Sequence, residues 1–208
     1  SNALQFQSNM HSLLGSDLIG WWNFNEGSGG TTRDLSGLGN DGTIFGAVHD
    51  DGVPGTGGSS LLFDGGTDRV AMGNPANTRI STAVTVSAWV NSNDITLSQN
   101  VVSRNGPYFL RITNSTVRSG IYTGTWIFRN GATTLSSNTW YHLLMTYDGS
   151  SMRGYVNGEL DIDDAKTGNM TSFSSLFIGY TTSSGEQAPF NGLIDDVRIY
   201  SRALTAQE

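Results

Sequence analysis

Three carboxylates at alternating positions have the spacing that hydrolytic chemistry uses. Glu159, Asp161 and Asp163 occupy every second position of one short segment. In a β-strand, side chains two residues apart point to the same face. Retaining glycosidases use two carboxyl groups about 5 to 5.5 Å apart, a separation that such a strand supplies. Whether this segment is a catalytic pair depends on where its strand lies in the fold.

A second group of oxygen-bearing side chains suits calcium. The run from Asp34 to Gly42 mixes Asp, Ser and Asn with glycines. Calcium takes carboxylate, amide and backbone oxygens from a chain that can curl round it. The run is not an EF-hand, because the 12-position spacing and the terminal Glu are missing. The alternative is a glycine-rich turn capped by its own Asp and Asn side chains.

Asp195 is a further candidate metal ligand. The segment Gly192–Tyr200 alternates as a strand does, and this pattern predicts that Asp195 shares a face with Val197 and Ile199. A buried carboxylate without a partner is costly, so it should meet a cation or an Arg. We expect a calcium ion between this strand and the N-terminal loop. The alternative is a carboxylate that accepts hydrogen bonds from loop amides.

Aromatic and arginine side chains are concentrated in the middle of the chain, between residues 101 and 129. Aromatic rings stack on the apolar faces of sugars and Arg side chains donate to hydroxyls, so the mixture suits a carbohydrate site. Just upstream, alternation in Val84–Val90 leaves Trp89 on the polar face of its strand. The alternative is that about half of these side chains alternate into the core. The candidate contacts are Trp89, Arg104, Tyr108, Arg111 and Trp126.

The elements that must position these residues are β-strands. From Trp140 to Glu159, two extended runs are joined by a polar turn and followed by Asn157-Gly158, a strong hairpin signal. This stretch predicts an antiparallel meander, and the class of the whole chain is therefore all-β. The strands predicted elsewhere include Leu18–Phe24, Thr43–His49, Ser60–Asp64, Asp68–Met72, Val101–Arg104, Tyr108–Thr113, Val117–Tyr122, Thr125–Arg129 and Phe173–Tyr180.

Composition agrees with one large all-β domain. The 208 residues include 27 Gly and 4 Pro, and 37% are hydrophobic. We expect the domain to span residues 17–208, after a lead-in of residues 1–16 whose Ser1-Asn2-Ala3 start is typical of cloning. The chain would then be a domain cut from a longer protein.

Charge and cysteine content exclude several functions. The net charge of −7 argues against nucleic acid, whose backbone needs a basic surface, and suits bound cations or neutral ligands. No cysteine is present, which excludes disulfides, a thiolate metal site and a cysteine nucleophile. No apolar run reaches the length of about 20 residues that spans a bilayer, so we expect no membrane insertion.

Short motifs follow one another in a fixed order over most of the chain. They are residues 20–29 (GWWNFNEGSG), 34–42 (DLSGLGNDG), 62–65 (LFDG), 86–90 (VSAWV), 140–142 (WYH), 147–150 (YDGS), 155–158 (YVNG) and 192–204 (GLIDDVRIYSRAL). With these motifs in this order, the chain resembles the laminin-G-like jelly rolls of the concanavalin A-like lectin and glucanase superfamily.

This resemblance implies a fold, a ligand face and a metal site. The fold is a two-sheet antiparallel jelly-roll sandwich with a concave face that often binds glycans. The metal is a structural Ca²⁺ on the side away from that groove, bound by Asp195 together with an N-terminal loop and a glycine carbonyl. The ligands implied are Asn25, Asp34, Asn40, Gly58 and Asp195, with Asn25 standing where many members have Asp.

The resemblance also bears on catalysis. In the laminarinase-like enzymes of this fold, the acidic strand lies upstream of the segment that matches Trp140-Tyr141-His142. Here Glu159, Asp161 and Asp163 lie downstream of it, and residues 117–129, at the expected place, contain no Asp or Glu. We therefore expect a domain that is not an enzyme.

These observations predict a non-catalytic, calcium-stabilised recognition domain of an extracellular or cell-surface protein, of bacterial type, that binds a polysaccharide or other glycan. The rival hypothesis is an adhesion or spacer module that binds a surface protein or nothing. A glycan site predicts exposed aromatic side chains along a groove, whereas a spacer predicts a groove filled by loops or polar side chains. A hydrolase or lyase comes third, because it requires acids, or His with Tyr, in that groove.

Overall fold

The computed structural model describes residues 17–104, 106–182 and 188–208. Their regular structure is almost entirely β-strand, with one short 3-10 helix at Ala76–Thr78. The strands are β1 (Leu18–Trp22), β2 (Thr31–Thr32), β3 (Gly42–Phe45), β4 (Val48–Asp51), β5 (Ser59–Asp64), β6 (Arg69–Gly73), β7 (Val84–Ser92), β8 (Gln99–Arg104), β9 (Tyr108–Thr113), β10 (Thr116–Tyr122), β11 (Trp126–Asn130), β12 (Trp140–Tyr147), β13 (Ser151–Val156), β14 (Glu159–Ala165), β15 (Leu176–Ile178) and β16 (Asn191–Tyr200).

The strands form two antiparallel sheets of eight strands each. Sheet A has the order β14-β13-β12-β7-β16-β5-β4, with β1 added beside β16. Sheet B has the order β11-β10-β9-β8-β15-β6-β3-β2. One hydrophobic core lies between the sheets and takes alternate residues from both, among them Phe63, Val86 and Met145 of sheet A and Leu110 and Ile121 of sheet B. The predicted all-β jelly-roll sandwich is confirmed.

The meander predicted from residues 140–165 is present as β12, β13 and β14. Asn157 and Gly158 form the second turn with φ angles of 52° and 85°, a region that Asn and Gly tolerate better than other residues. The Asn157 side chain also accepts a hydrogen bond from the His142 backbone N–H at 2.8 Å. This meander forms one edge of sheet A and places β12 beside β7.

The single strand predicted over Thr43–His49 is wrong. The segment forms two strands that belong to different sheets, β3 in sheet B and β4 in sheet A. Gly46 lies between them with φ 79°, and its missing side chain leaves room for Asp68. A glycine in the left-handed region lets the chain turn from one sheet to the other, which alternation of apolar residues does not reveal.

The predicted face of Asp195 is also wrong. A β-bulge interrupts β16 between Asp195 and Arg198, and Asp196 adopts a φ of 46°. The extra residue moves Asp195 away from Val197 and places it opposite Trp89 of β7. Asp195 nevertheless remains buried, with 5% of its surface exposed.

The predicted lead-in of residues 1–16 lies outside the described ranges. The sequence also predicts a loop at residues 185–189, of which residues 185–187 lie outside the described ranges. Within the described part of the chain, no helix has the length and apolar character needed to cross a membrane.

Candidate functional site

The outward-facing side of sheet B carries a cluster of aromatic rings, which we call the aromatic face. It consists of Phe109 on β9, Tyr122 on β10, and Trp126 and Phe128 on β11. The Trp126 ring centroid lies 5.3 Å from that of Phe109 and 5.4 Å from that of Tyr122. Trp126 and Phe128 are 42% and 45% exposed, so they offer large apolar surfaces to solvent.

A glycine in the middle strand allows these rings to lie close to the sheet. Phe109, Gly120 and Phe128 are register partners across β9, β10 and β11. The Phe109 ring covers Gly120, so that a Cβ at this position would overlap the ring. The rings therefore form a low platform, which suits an elongated ligand lying on the sheet.

Two arginines extend the aromatic face. Arg111 and Arg118 are direct register partners on β9 and β10. The Arg111 guanidinium lies 4.5 Å from the Phe109 centroid, and that of Arg118 lies 4.8 Å from the Phe128 centroid. Arg111 Nε also donates to Asn100 Oδ1 at 3.0 Å, and Arg118 Nε donates to Asn130 Oδ1 at 2.6 Å. Arg111 is buried, with 5% of its surface exposed, so it supports the aromatic face from beneath.

The five predicted ligand contacts do not form one site. Arg111 and Trp126 lie together on the aromatic face. Arg104 and Tyr108 are fully buried, and Arg104 donates to the side chains of Thr78 and Asn74. Burial raises the pKa of Tyr108 to about 12, even though the adjacent Arg104 opposes the shift.

Trp89 lies on the other sheet. Its side chain is on the outward face of sheet A, where its ring centroid is 5.2 Å from that of His142. Burial lowers the pKa of His142, with smaller and opposing influences from Asp196 and Arg198. Trp89 therefore faces away from the cluster around Trp126.

Sequence reasoning missed Phe109 and Phe128 as members of this surface. Phe128 is two residues from Trp126, and Phe109 is two residues from Arg111. Alternation alone places each of them on the same face as its neighbour. The sequence does not show which strands lie side by side, and only the pairing of β9, β10 and β11 brings the four rings together.

Three of the five predicted metal ligands lie close together. The missing side chain of Gly52 leaves a space in which a Cβ would lie 2.9 Å from the Gly58 carbonyl oxygen and 3.0 Å from Asp195 Oδ2. Asn25 Oδ1 lies against Gly58 and accepts a hydrogen bond from the Ser59 N–H at 2.7 Å. Carboxylate, carbonyl and amide oxygens are the ligands that calcium prefers.

The electrostatics of Asp195 also suit a calcium ligand. Desolvation raises the pKa of Asp195 to about 6, and this outweighs hydrogen bonds from the backbone N–H groups of Val53 and Asp196. Arg198, the nearest cation on the strand, forms its ion pair with Asp196 at 2.9 Å. In the described part of the chain, no three His, Cys, Asp or Glu side chains are grouped as metal ligands. A cation here would therefore depend on one carboxylate with neutral oxygens.

Asp34 and Asn40 have a different structural role. Asp34 Oδ1 accepts the backbone N–H groups of Trp21 and Ser36 at 3.0 and 2.9 Å, and Oδ2 accepts that of Asn40 at 2.9 Å. The Asn40 side chain donates to the Ile19 carbonyl at 2.7 Å. Both residues tie the loop before β3 to β1, which is the capped-turn alternative stated above for this run.

The alternating carboxylates lie on β14, at the edge of sheet A. Asp161 Oδ1 accepts hydrogen bonds from the backbone N–H groups of Ala132 and Thr133 at 3.1 and 2.8 Å. Asp163 forms an ion pair with Arg153 at 3.3 Å. These carboxylates therefore lie on the sheet that does not carry the aromatic face.

Comparison with known families identifies a match to the C-terminal two thirds of the chain. The family model Laminin_G_3, described as concanavalin A-like lectin/glucanases superfamily, matches residues 64–208. No curated protein sequence matches the chain.

Solved structures share the fold. Domain 4 of AbnA, a GH43 extracellular arabinanase from Geobacillus stearothermophilus solved with arabinotriose, has a TM-score of 0.72 and 19% identity, covering 92% of this chain and 95% of that one. The binding domain of Paraclostridial Mosquitocidal Protein 1 has a TM-score of 0.70 and 16% identity, covering 92% and 50%. The binding domain of botulinum neurotoxin DC, solved with rat synaptotagmin II, has a TM-score of 0.67 and 15% identity, covering 92% and 49%. The chain thus spans about half the length of these two toxin domains.

Proposed function

The chain belongs to the concanavalin A-like lectin/glucanase superfamily, and we propose that it is a non-catalytic domain that binds a glycan on the aromatic face of sheet B. The observation that carries the proposal is the exposure of Trp126 and Phe128 beside two further rings. Ordinary folding buries such side chains, so large rings that remain exposed together indicate a binding surface.

The chemistry of the aromatic face fits sugars. The apolar faces of pyranose and furanose rings pack on aromatic rings, while their hydroxyls need donors and acceptors at the rim. Trp126 and Phe128 supply the stacking surface. Asn130 supplies polar atoms beside them, and it lies next to Arg118, whose Nε donates to Asn130 Oδ1 at 2.6 Å. A groove filled by polar side chains, as expected of a spacer, would not leave these rings open.

The residue types of the strands that carry the aromatic face support a binding role over hydrolysis. The strands of sheet B, as described, contain no Asp or Glu. A retaining or inverting glycosidase needs two carboxyl groups that flank the scissile bond. Asp161 and Asp163 have that spacing, but they lie on sheet A and bind loop N–H groups and Arg153.

The similar structures are consistent with this proposal. The arabinanase domain was solved with arabinotriose, and its likeness to this chain extends over nearly the whole of both. The neurotoxin domain was solved with a protein, synaptotagmin II, which keeps an adhesion module as the rival function. We also propose that the chain acts outside the cell, as part of a larger secreted protein.

We further propose a structural calcium ion bound by Asp195, the Gly58 carbonyl and Asn25. The site fits a calcium ion for two reasons. The missing side chain of Gly52 leaves open a space beside the Gly58 carbonyl oxygen and Asp195 Oδ2, and the Asp195 carboxylate is buried. When bound, calcium would neutralise the carboxylate and hold the loop between β4 and β5 against β16. Asp34 and Asn40 are not part of this proposed set.

A glycan array tests the binding function directly. We expect the folded domain, assayed in calcium, to bind a restricted set of glycans, and Trp126→Ala to abolish that binding. Leu160→Ala is the matched control, because Leu160 is a 54% exposed apolar residue on sheet A and should be dispensable. If a well-folded domain binds no glycan, or if Trp126→Ala binds as well as the wild type, the adhesion or spacer function replaces this proposal.

A further inference from the structure

A cavity of about 200 Å³ lies on the outward face of sheet A, on the opposite side of the sandwich from the aromatic face. Its floor is formed by His142, Leu144 and Thr146 of β12, and by Tyr155 of β13, which is the register partner of Leu144. The residues between them on β12 point into the core. One wall is formed by residues 204–208, which follow β16. We call this space the sheet A cavity.

Hydrogen bonds fix this wall in place. The Leu204 N–H donates to the Thr85 hydroxyl of β7 at 2.9 Å, and that hydroxyl donates to the Arg202 carbonyl at 2.8 Å. Glu208 accepts from the Arg202 guanidinium at 2.6 and 2.8 Å and from the Thr205 backbone N–H at 3.0 Å. The wall is therefore a closed turn attached to sheet A, and the cavity is preformed, as ligand sites usually are.

The charges around the sheet A cavity are balanced. Among the described residues that line it, Glu208 is the only acidic one, and Arg202 donates to both of its carboxylate oxygens. Burial lowers the pKa of His142, so its ring is neutral at pH 7. An ion that entered the cavity would lose hydration without gaining an opposite charge. A neutral ligand therefore fits this cavity better than an ion.

Three polar side chains of the lining have hydrogen-bonding capacity that the protein leaves unused. Thr146 is only 2% exposed, yet its hydroxyl has no hydrogen-bond partner among the described residues. Within the same part of the chain, the ring nitrogens of His142 and the side-chain amide of Gln207 also lack a partner. Burying a polar group without a partner is costly. These groups are therefore expected to meet the contents of the cavity.

The chemistry of these groups favours a sugar. A hydroxyl, a neutral imidazole and a primary amide can each both donate and accept a hydrogen bond. Sugar hydroxyls have the same dual character, whereas a carboxylate only accepts and an ammonium group only donates. Leu144 and Tyr155 add an apolar floor for the less polar face of a sugar ring. The cavity has the volume of roughly seven water molecules, which matches one sugar ring.

We propose that the sheet A cavity is a second binding site of this domain, which takes a single neutral sugar residue, such as the end of a glycan chain. The sugar ring lies on Leu144 and Tyr155, and its hydroxyls exchange hydrogen bonds with His142, Thr146 and Gln207. This site shares no residue with the aromatic face and does not rest on the function proposed for that face. A domain that binds at both sites holds glycans on opposite sheets and can link two chains.

Titration of the intact domain with monosaccharides, followed by NMR of the backbone amides, tests this inference. The probes are the methyl glycosides of D-glucose, D-galactose, D-mannose and L-arabinose. We expect at least one of them to shift the signals of residues 142–158 and 204–208, with a Kd on the order of 1 mM for so small a ligand. Such weak binding does not survive the washing of a glycan array, so the array reports on the aromatic face and the titration on the sheet A cavity.

Variants identify the contacts. Thr146→Val removes the hydroxyl and keeps the branched shape, and it should weaken binding about 10-fold. Gln207→Ala should weaken binding several-fold, and because Gln207 is exposed this variant remains informative if Thr146→Val does not fold. Asn169→Ala is the matched control and should bind as the wild type does, because Asn169 is an exposed amide that does not line the cavity. Thermal melts establish that each variant is folded.

Each outcome decides the proposal. Shifts at the cavity that persist in Trp126→Ala and are weakened in Thr146→Val or Gln207→Ala support it. Shifts confined to the aromatic face, or binding that is lost in Trp126→Ala, would overturn the second site and leave glycan binding by sheet B intact. Cavity shifts of wild-type strength in both Thr146→Val and Gln207→Ala would overturn it too. If no sugar shifts any cavity residue, the cavity holds only water, whatever the array shows.

Discussion

The ring of Phe109 lies across Gly120 of the neighbouring strand, in space that any Cβ at position 120 would occupy. Only 6% of the Phe109 surface is exposed in that position. The Phe109 ring supports the more exposed ring of Trp126, and the two ring centroids are 5.3 Å apart. A residue without a side chain therefore sets the height of the aromatic face. Gly120 has an ordinary strand conformation, so it is steric space and not backbone freedom that requires glycine here.

Gly120→Ala should weaken glycan binding through Phe109 and Trp126. The added methyl group must push the Phe109 ring outward, and overpacking of this kind costs about 1 to 3 kcal/mol of unfolding free energy. The displaced ring disturbs the stacking surface, so we expect at least a several-fold loss of affinity for whichever glycan the array identifies. Gly30→Ala is the control, because a Cβ there meets no atom within 4 Å. Unchanged affinity in a folded Gly120→Ala protein would show that the position of Phe109 does not matter for binding.

Local sequence signals predicted most of the fold because they arise from neighbouring residues. The hairpin at Asn157-Gly158 and the strand Tyr108–Thr113 were both evident, since turn chemistry and alternation act within a few residues. The crossing at Gly46 was missed, because residues 43–49 form one apolar-rich run and the sequence does not show that its two halves pair with different sheets. The sequence also gives no sign of the bulge at Asp196, which displaced Asp195 from its expected face.

The candidate site depended on strand order, which the sequence does not contain. Trp126 and Arg111 were identified by residue type, and they do lie together. Tyr108 and Arg104 are also an aromatic residue and an arginine, but both are fully buried. Trp89 satisfied the alternation rule for an outward residue and proved to be on the other sheet. Only pairing across β9, β10 and β11 distinguishes these cases, because it fixes which outward faces are continuous.

The proposed calcium site predicts metal-dependent stability that involves Asp195. We expect the melting temperature to rise with added calcium and to fall with a chelator, since a ligand that binds only the folded state stabilises it by about 2.7 kcal/mol at 100 times its Kd. Asp195→Ala should abolish the difference between the two conditions. Differential scanning calorimetry of both proteins measures it.

Asp34→Ala supplies the contrast. Asp34 accepts three backbone N–H groups, so its loss should lower the free energy of unfolding by about 3 kcal/mol through unsatisfied donors. That loss should be equal with calcium and with chelator, because Asp34 is not in the proposed ligand set. If Asp34→Ala abolishes the calcium response while Asp195→Ala retains it, the metal lies in the loop before β3 and our assignment is wrong.

The contact between Arg202 and Glu208 predicts a dependence of stability on acid pH. Arg202 donates to Glu208 Oε1 at 2.6 Å and to Oε2 at 2.8 Å, and these bonds are the main reason that the pKa of Glu208 falls from 4.5 to about 2. Because the pKa is lower in the folded state, the stabilisation is fully present above about pH 4.5 and is lost as the pH falls towards 2.

Glu208→Gln isolates this contribution. We expect the variant to have a lower melting temperature than the wild type at pH 6, by a small amount because the pair is exposed to solvent. The difference should shrink as the pH falls below 4.5 and be lost as the pH falls through about 2, where Glu208 of the wild type becomes protonated. High salt should reduce the difference at pH 6, since exposed ion pairs are screened. A difference that stays constant from pH 6 to pH 2 would mean that the carboxylate charge of Glu208 does not stabilise the fold.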